Sequence, residues 1–246
     1  RKVRPHDRPP IQPPPPRADS GRSPVSGFVE PPEARYWRGI LYLLVSCLGF
    51  GIAPSLARIA YEAGSSPATA ILMRFTVAAM VVTLTLRRLG RPLRLPPAER
   101  RQAFGIGLLA ALLSWGYLSA VARIPVSVAA LVFYTFPGMV AIVAHLTGQD
   151  RLTGLRVGAL LAAFCGIALV VGIEPGRTPD PVGLAMALVA AVTCAASILW
   201  TSRVLRRADP LVLNGHAVLA ATAAAILLVA TDGGPAWPAT VTGWLG

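Results

Sequence analysis

The chain has 246 residues, 54% of them hydrophobic and 14% charged, with a mean hydropathy of +0.59; soluble domains carry about 25% charged residues, so water is not its main solvent. Its three cysteines, Cys47, Cys165 and Cys194, all lie in apolar runs, which excludes a secreted disulfide scaffold. The net charge of +12 comes from basic residues beside apolar runs, with no basic helix or zinc-ligand spacing, so it marks membrane boundaries and not a nucleic-acid partner.

Residues 1–34 contain ten prolines, Pro13 to Pro16 among them, interspersed with Arg, Asp and Ser. Such a segment cannot form a core, and it reads as a disordered, solvated cytoplasmic tail of polyproline II character. It has neither the apolar centre nor the small-residue cleavage site of a signal peptide.

Beyond it, a bilayer core about 30 Å thick requires about 20 apolar helical residues per crossing. Seven runs meet that length: 39–57, 67–86, 103–122, 126–147, 157–173, 182–202 and 211–230. Each is continuous rather than alternating and rich in Ala and Leu, which favours helices over a membrane barrel. Residues 236–246 read as the opening of an eighth span. With Arg1 in place of an initiator Met, the expectation is a fragment truncated at both ends. The fold class is therefore all-α, a polytopic membrane helix bundle.

Lys and Arg in the connections set the orientation. Eight precede the first span, and the connections 87–102, 148–156 and 203–209 hold six, two and three, whereas the alternate connections hold only Arg58, Arg123 and Arg177. The alternation holds over all seven spans and places the N-terminus in the cytoplasm of a multi-pass cell-membrane protein.

The second half repeats the layout of the first. Gly39 and Gly183 open the first and sixth spans, and Pro67 and Pro210 open the second and seventh, 28 and 27 residues further on. Five intervening spans, an odd number, invert the second copy, as in many secondary transporters. The segments GIAPSLARIAYEAGSSPATAILMRF at 51–75, YLSAVARIPVSVAALVFYTFPGMVAIVAHL at 117–146 and DRLTGLRVGALLAAFCGIALVVG at 150–172 resemble the EamA-type transporters of the drug/metabolite transporter superfamily. One departure is Gln149-Asp150, where members commonly carry Gly-Glu. The resemblance implies ten helices in two inverted five-helix repeats. Residues 35–175 would be the first repeat, complete, and 181–246 part of the second. It also implies a secondary transporter, a permease or exporter of a small metabolite such as an amino acid, working by alternating access. A non-transporting membrane sensor or scaffold is the alternative. On the ten-helix reading, residues 1–246 alone do not catalyse transport, because the second repeat would lack a wall.

Only Arg74 carries charge inside a span, and no acidic residue does, so a mechanism built on an intramembrane carboxylate lacks its central group here. Arg74 lies about 10 Å below the outer face, at a depth comparable to Trp115 and Tyr134 on the third and fourth spans. Two aromatics and one cation in one layer suit a small solute with an anionic end; the alternative is a structural Arg and two core aromatics. In the second repeat Asn214 and His216 lie just inside the seventh span, His216 being the inverted counterpart of Arg74. Its imidazole suits proton coupling or a hydrogen bond to a neighbouring helix. These five are the candidate substrate-binding residues.

Pro54 and Pro137 fall within spans and should bend them. Gly154, Gly158, Ala162 and Gly166 recur every four residues, as do Gly183, Ala187, Ala191 and Ala195. Such faces admit close helix approach, within the bundle or across a homodimer. There is no His-Glu-x-x-His, phosphate loop, Cys-x-x-Cys or intramembrane Asp pair, so neither an enzyme nor a cofactor or metal site is expected. The expected partners are a small-molecule solute and the lipid bilayer.

Overall fold

The computed structural model describes residues 32–91, 94–148, 153–171, 179–206 and 208–240. These form eight helical segments: α1 (Pro32–Glu62), α2 (Pro67–Arg88), α3 (Pro97–Arg123), α4 (Val126–Phe133), α5 (Phe136–Leu146), α6 (Gly154–Val171), α7 (Pro181–Val204) and α8 (Pro210–Thr231). No strand occurs among the described residues. Most of the expected tail, 1–31, lies outside them, and the helix already starts at Pro32, ahead of the expected boundary at 35. Residues 47–246 make one compact unit, and the packing below is within it.

Six helices are long and apolar enough to cross a membrane: 39–62, α2, α3, the span 126–146 made of α4 and α5, α7 and α8. The remaining expected span, 157–173, is carried by α6, which contributes the shorter apolar stretch Gly154–Gly166. Residues 172 and 173 lie outside the described residues. The expected eighth span has not begun by residue 240. Instead, residues 235–240 are non-helical and tuck against the α1–α2 turn. There the Ala236 N–H donates to Thr69 Oγ1 at 2.9 Å and the Ala239 N–H to the Ala63 carbonyl at 2.9 Å. Pro235 and Pro238 explain the difference, since each lacks an N–H and restricts the residue before it to extended backbone.

Three helix starts follow one rule. Ser66, Asp180 and Asp209 each precede a proline at the first helical position and accept a backbone N–H: from Thr69 at 3.2 Å, from Val182 at 2.9 Å, and from both Leu211 at 2.9 Å and Val212 at 3.2 Å. The cap satisfies a donor the helix leaves orphaned, and the proline has no N–H to waste.

The two expected bends differ in outcome. Pro54 stays inside α1. Pro137 follows a true break at Tyr134–Thr135, where it cannot donate to the Phe133 carbonyl. The Thr135 hydroxyl donates to the Val132 carbonyl at 2.7 Å, replacing part of the lost helical bonding.

α3 lies at the centre, packed along α7 and α8, while α2 packs along α8 and α4 and α5 along α7. The close approaches are made by glycine. A Cβ on Gly107 would collide with the Ala217 carbonyl and lie 2.8 Å from Ala220 Cβ; one on Gly116 would lie 2.9 Å from the Met186 carbonyl; one on Gly183 would lie 2.7 Å from Ile124. The small face of α7 is thus an interface within the bundle, with Ala187, Ala191 and Ala195 buried. A Cβ added at the α6 glycines Gly154, Gly158 or Gly166 would meet nothing within 4 Å from another element. In lipid, where apolar side chains gain nothing by leaving their surroundings, such contact packing is what holds helices together.

The α2–α8 and α3–α7 pairs are antiparallel, whereas α3 and α8 run in the same direction, early α3 (Gly107) meeting early α8 (Ala217). Arg91, just past the end of α2, is ion-paired with Asp209 at the start of α8, and Ala236, past the end of α8, bonds Thr69 in the first turn of α2. Arg123 at the end of α3 reaches Asp180 at the start of α7. The arginine-rich connections 87–102 and 203–209 therefore share one end of the bundle, and the arginine-poor turns share the other.

Candidate functional site

At the arginine-poor end, the starts of α2 and α7 and the ends of α3 and α8 surround a cavity of about 520 Å³. Trp115, Ser119 and Arg123 line it from α3, Met186 from α7, and Thr231 and Asp232 from the end of α8. Trp115 and Ser119 are four residues apart, and Arg123 four further, so one face of α3 supplies all three. A second, wholly apolar cavity of about 330 Å³ lies alongside, lined by Ile71, Leu108, Leu112 and Ala225 and again by Trp115 and Leu228. The indole is thus shared between a polar and an apolar space. Trp115 also packs against the buried cluster of Ile71, Phe75, Leu118, Ala221 and Ala225.

The charges at the mouth come from helix ends. Arg123 occupies the last turn of α3, where a cation complements the helix dipole. Its Nη1 lies 3.5 Å from Asp180 Oδ2, while Asp180 Oδ1 accepts the Val182 N–H at the start of α7. Nearby, Arg58 donates to the Val121 carbonyl at 2.9 Å, satisfying an end carbonyl of α3, and pairs with Glu62 at 3.2 Å. Asp232 is the C-cap of α8. A carboxylate at the negative end of a helix is unfavourable unless a cation answers it, and Asp232 has no ion-pair partner among the described residues.

Of the residues singled out from the sequence, Trp115 lines the cavity. Arg74 is exposed on α2, with its guanidinium 5.2 Å from the ring centroid of Phe50 on α1. Tyr134, at the α4–α5 break, joins a different aromatic group: its ring is 5.7 Å from Phe133 and 6.3 Å from Phe136, and Phe133 in turn lies 4.9 Å from Tyr117 on α3. Neither Arg74 nor Tyr134 lines the cavity with Trp115. Asn214 is exposed on α8, and His216 Nδ1 lies 3.1 Å from the Val212 carbonyl of its own helix, not of a neighbour. Sequence reasoning passed over Arg123, Asp180 and Asp232 as connection residues. The available signal was the Asp-Pro pair at 180–181, which marks a helix start and so a fixed carboxylate.

No three His, Cys, Asp or Glu side chains gather into a metal-binding group among the described residues. What the fold defines is an all-helical integral membrane protein with a small-molecule-sized cavity at one end of its central helices. Residues 37–172, more than half of the chain, match the EamA-like transporter family. The chain belongs to that family of membrane transporters. No curated protein matches it. Among solved structures six chains match. One, titled only "Crystal structure of protein", is 24% identical with a TM-score of 0.59, over 78% of this chain and 70% of that one. At that identity the likeness concerns the fold alone.

Proposed function

We propose that this protein is a secondary transporter moving a small organic metabolite across the cell membrane by alternating access between two inverted repeats, with residues 35–175 as the first repeat and 181–246 as part of the second. The observation that carries the reading is the α2–α8 pair. These helices hold matching positions in the two halves, each begins with a capped proline, and they pack antiparallel, tied at both ends. Opposite direction in matching elements is what an inverted repeat requires, and a site at the repeat interface is where such transporters hold their solute. The cavity at that interface is bounded by both halves, with α2 and α3 on one side and α7 and α8 on the other. The excess of Lys and Arg at one end supports a cytoplasmic N-terminus.

The test is flux. Full-length protein in liposomes loaded with an isotope-labelled metabolite extract should release a subset of solutes faster than empty liposomes, saturably. A protein that binds solutes yet releases none of them would be the sensor or scaffold instead.

A further inference from the structure

The charges around the cavity point to the chemical class of its ligand, an inference that rests on the transport reading for its purpose and on the geometry of the site for its content. We propose that Arg123 and Asp232 are the two poles of a recognition site for a small zwitterion, whose carboxylate replaces Asp180 on Arg123 and whose ammonium pairs with Asp232.

Three observations and one electrostatic argument carry this. The volume of about 520 Å³ is that of a small-molecule site. The two opposite charges line one cavity from the ends of two different helices. A purely anionic ligand would meet Asp232 and a purely cationic one Arg123, so the pair selects for a ligand with both signs. Asp232, at the negative end of α8, is exposed and without an ion-pair partner among the described residues, so its carboxylate is free to meet a ligand's ammonium.

Asp180 is suited to being displaced. It touches Arg123 through one oxygen at 3.5 Å, and both side chains are part-exposed, at 49% and 33%, a kind of pair that contributes little. Its other oxygen caps α7 through the Val182 N–H. Losing Arg123 therefore leaves the cap intact, and the start of α7 keeps its structure while the guanidinium turns to the ligand. A bidentate ligand carboxylate would gain the planar fork that Asp180 leaves half used. Trp115, Met186 and Leu228 then form the apolar wall against which the rest of the ligand rests.

The test uses full-length protein in lipid nanodiscs, with each of the twenty common amino acids added singly and binding read from thermal stabilisation. At least one should bind, and its decarboxylated and deaminated analogues at least tenfold more weakly. Arg123→Gln should abolish the preference over the amine, and Asp232→Asn the preference over the acid. Asp180→Asn, which keeps a good cap, should tighten binding several-fold by removing the competitor. Arg123 and its ion-pair partner thus act in opposite directions, whereas a merely structural pair would weaken binding in both variants. Binding by none of the twenty, equal binding of the analogues, or weakened binding in Asp180→Asn overturns the proposal. Flux of solutes bearing a single charge sign, with no zwitterion bound, would overturn this site and spare transport; zwitterion binding without any flux would do the reverse.

Discussion

Replacing Gly107 by alanine adds one methyl group at the seam between α3 and α8. That Cβ would overlap the carbonyl oxygen of Ala217 and lie 2.8 Å from Ala220 Cβ and 3.0 Å from the Ala217 carbonyl carbon. Two of these three atoms are α8 backbone, which cannot rotate aside, so the helices must separate by about 1 Å to restore an ordinary separation near 3.5 Å. A gap of that size forfeits a quarter to a half of each dispersion contact along the seam, where Ala217, Ala220 and Ala221 are buried. Overpacking of this kind costs about 1–3 kcal/mol, and the better helix propensity of alanine returns about 1 kcal/mol at most. The expected net effect is a loss of about 1–2 kcal/mol. Gly158 on α6 is the control, because a Cβ there meets nothing within 4 Å, and Gly158→Ala should be neutral or slightly stabilising. Gly105→Ala should fall between them, since its Cβ would press on the far edge of the Trp200 ring at 2.7 Å, which can turn. Unfolding by sodium dodecyl sulfate titration in mixed micelles, followed by circular dichroism, ranks the three. Gly107→Ala at least as stable as the parent protein would refute the packing argument.

Arg74→Gln removes the guanidinium from the Phe50 ring, 5.2 Å away, and should cost about 0.5–2 kcal/mol of stability, the range of a cation–π contact from exposed to desolvated, while leaving ligand affinity unchanged; lost affinity in a well-folded variant would place Arg74 in the site. Single cysteines at 94 and 206 should be labelled by an impermeant maleimide only from the cytoplasmic side and one at 65 only from outside, and labelling of 94 from outside would reverse the orientation and with it the side of the membrane at which the arginine-poor end lies.

Six apolar spans, their order and the shared end of the connections 87–102 and 203–209 were legible in the sequence, because transfer into lipid depends on each residue by itself and chain connectivity forces successive spans to alternate. Pro67 and Pro210 were legible as span starts, whereas the caps at Ser66, Asp180 and Asp209 were not read, although a cap is a contact between near neighbours. The small face of α7 was visible as a four-residue repeat, yet its partner was not, and the α6 glycines carried the same signal without a neighbour. On α3, Gly105, Gly107 and Gly116 show no regular spacing, since they serve two different helices, α7 and α8. A membrane helix that is apolar on every side carries no stripe to say which way it faces. Its rotation is decided only when backbones meet, and only that rotation brought the α3 face of Trp115 and Arg123 to Asp232 while turning Arg74 to Phe50 and Tyr134 to its own aromatic group. Comparable depth, which the sequence determined, is a necessary condition for a shared site; a shared face is the other, and it arises from long-range packing between residues far apart in the chain.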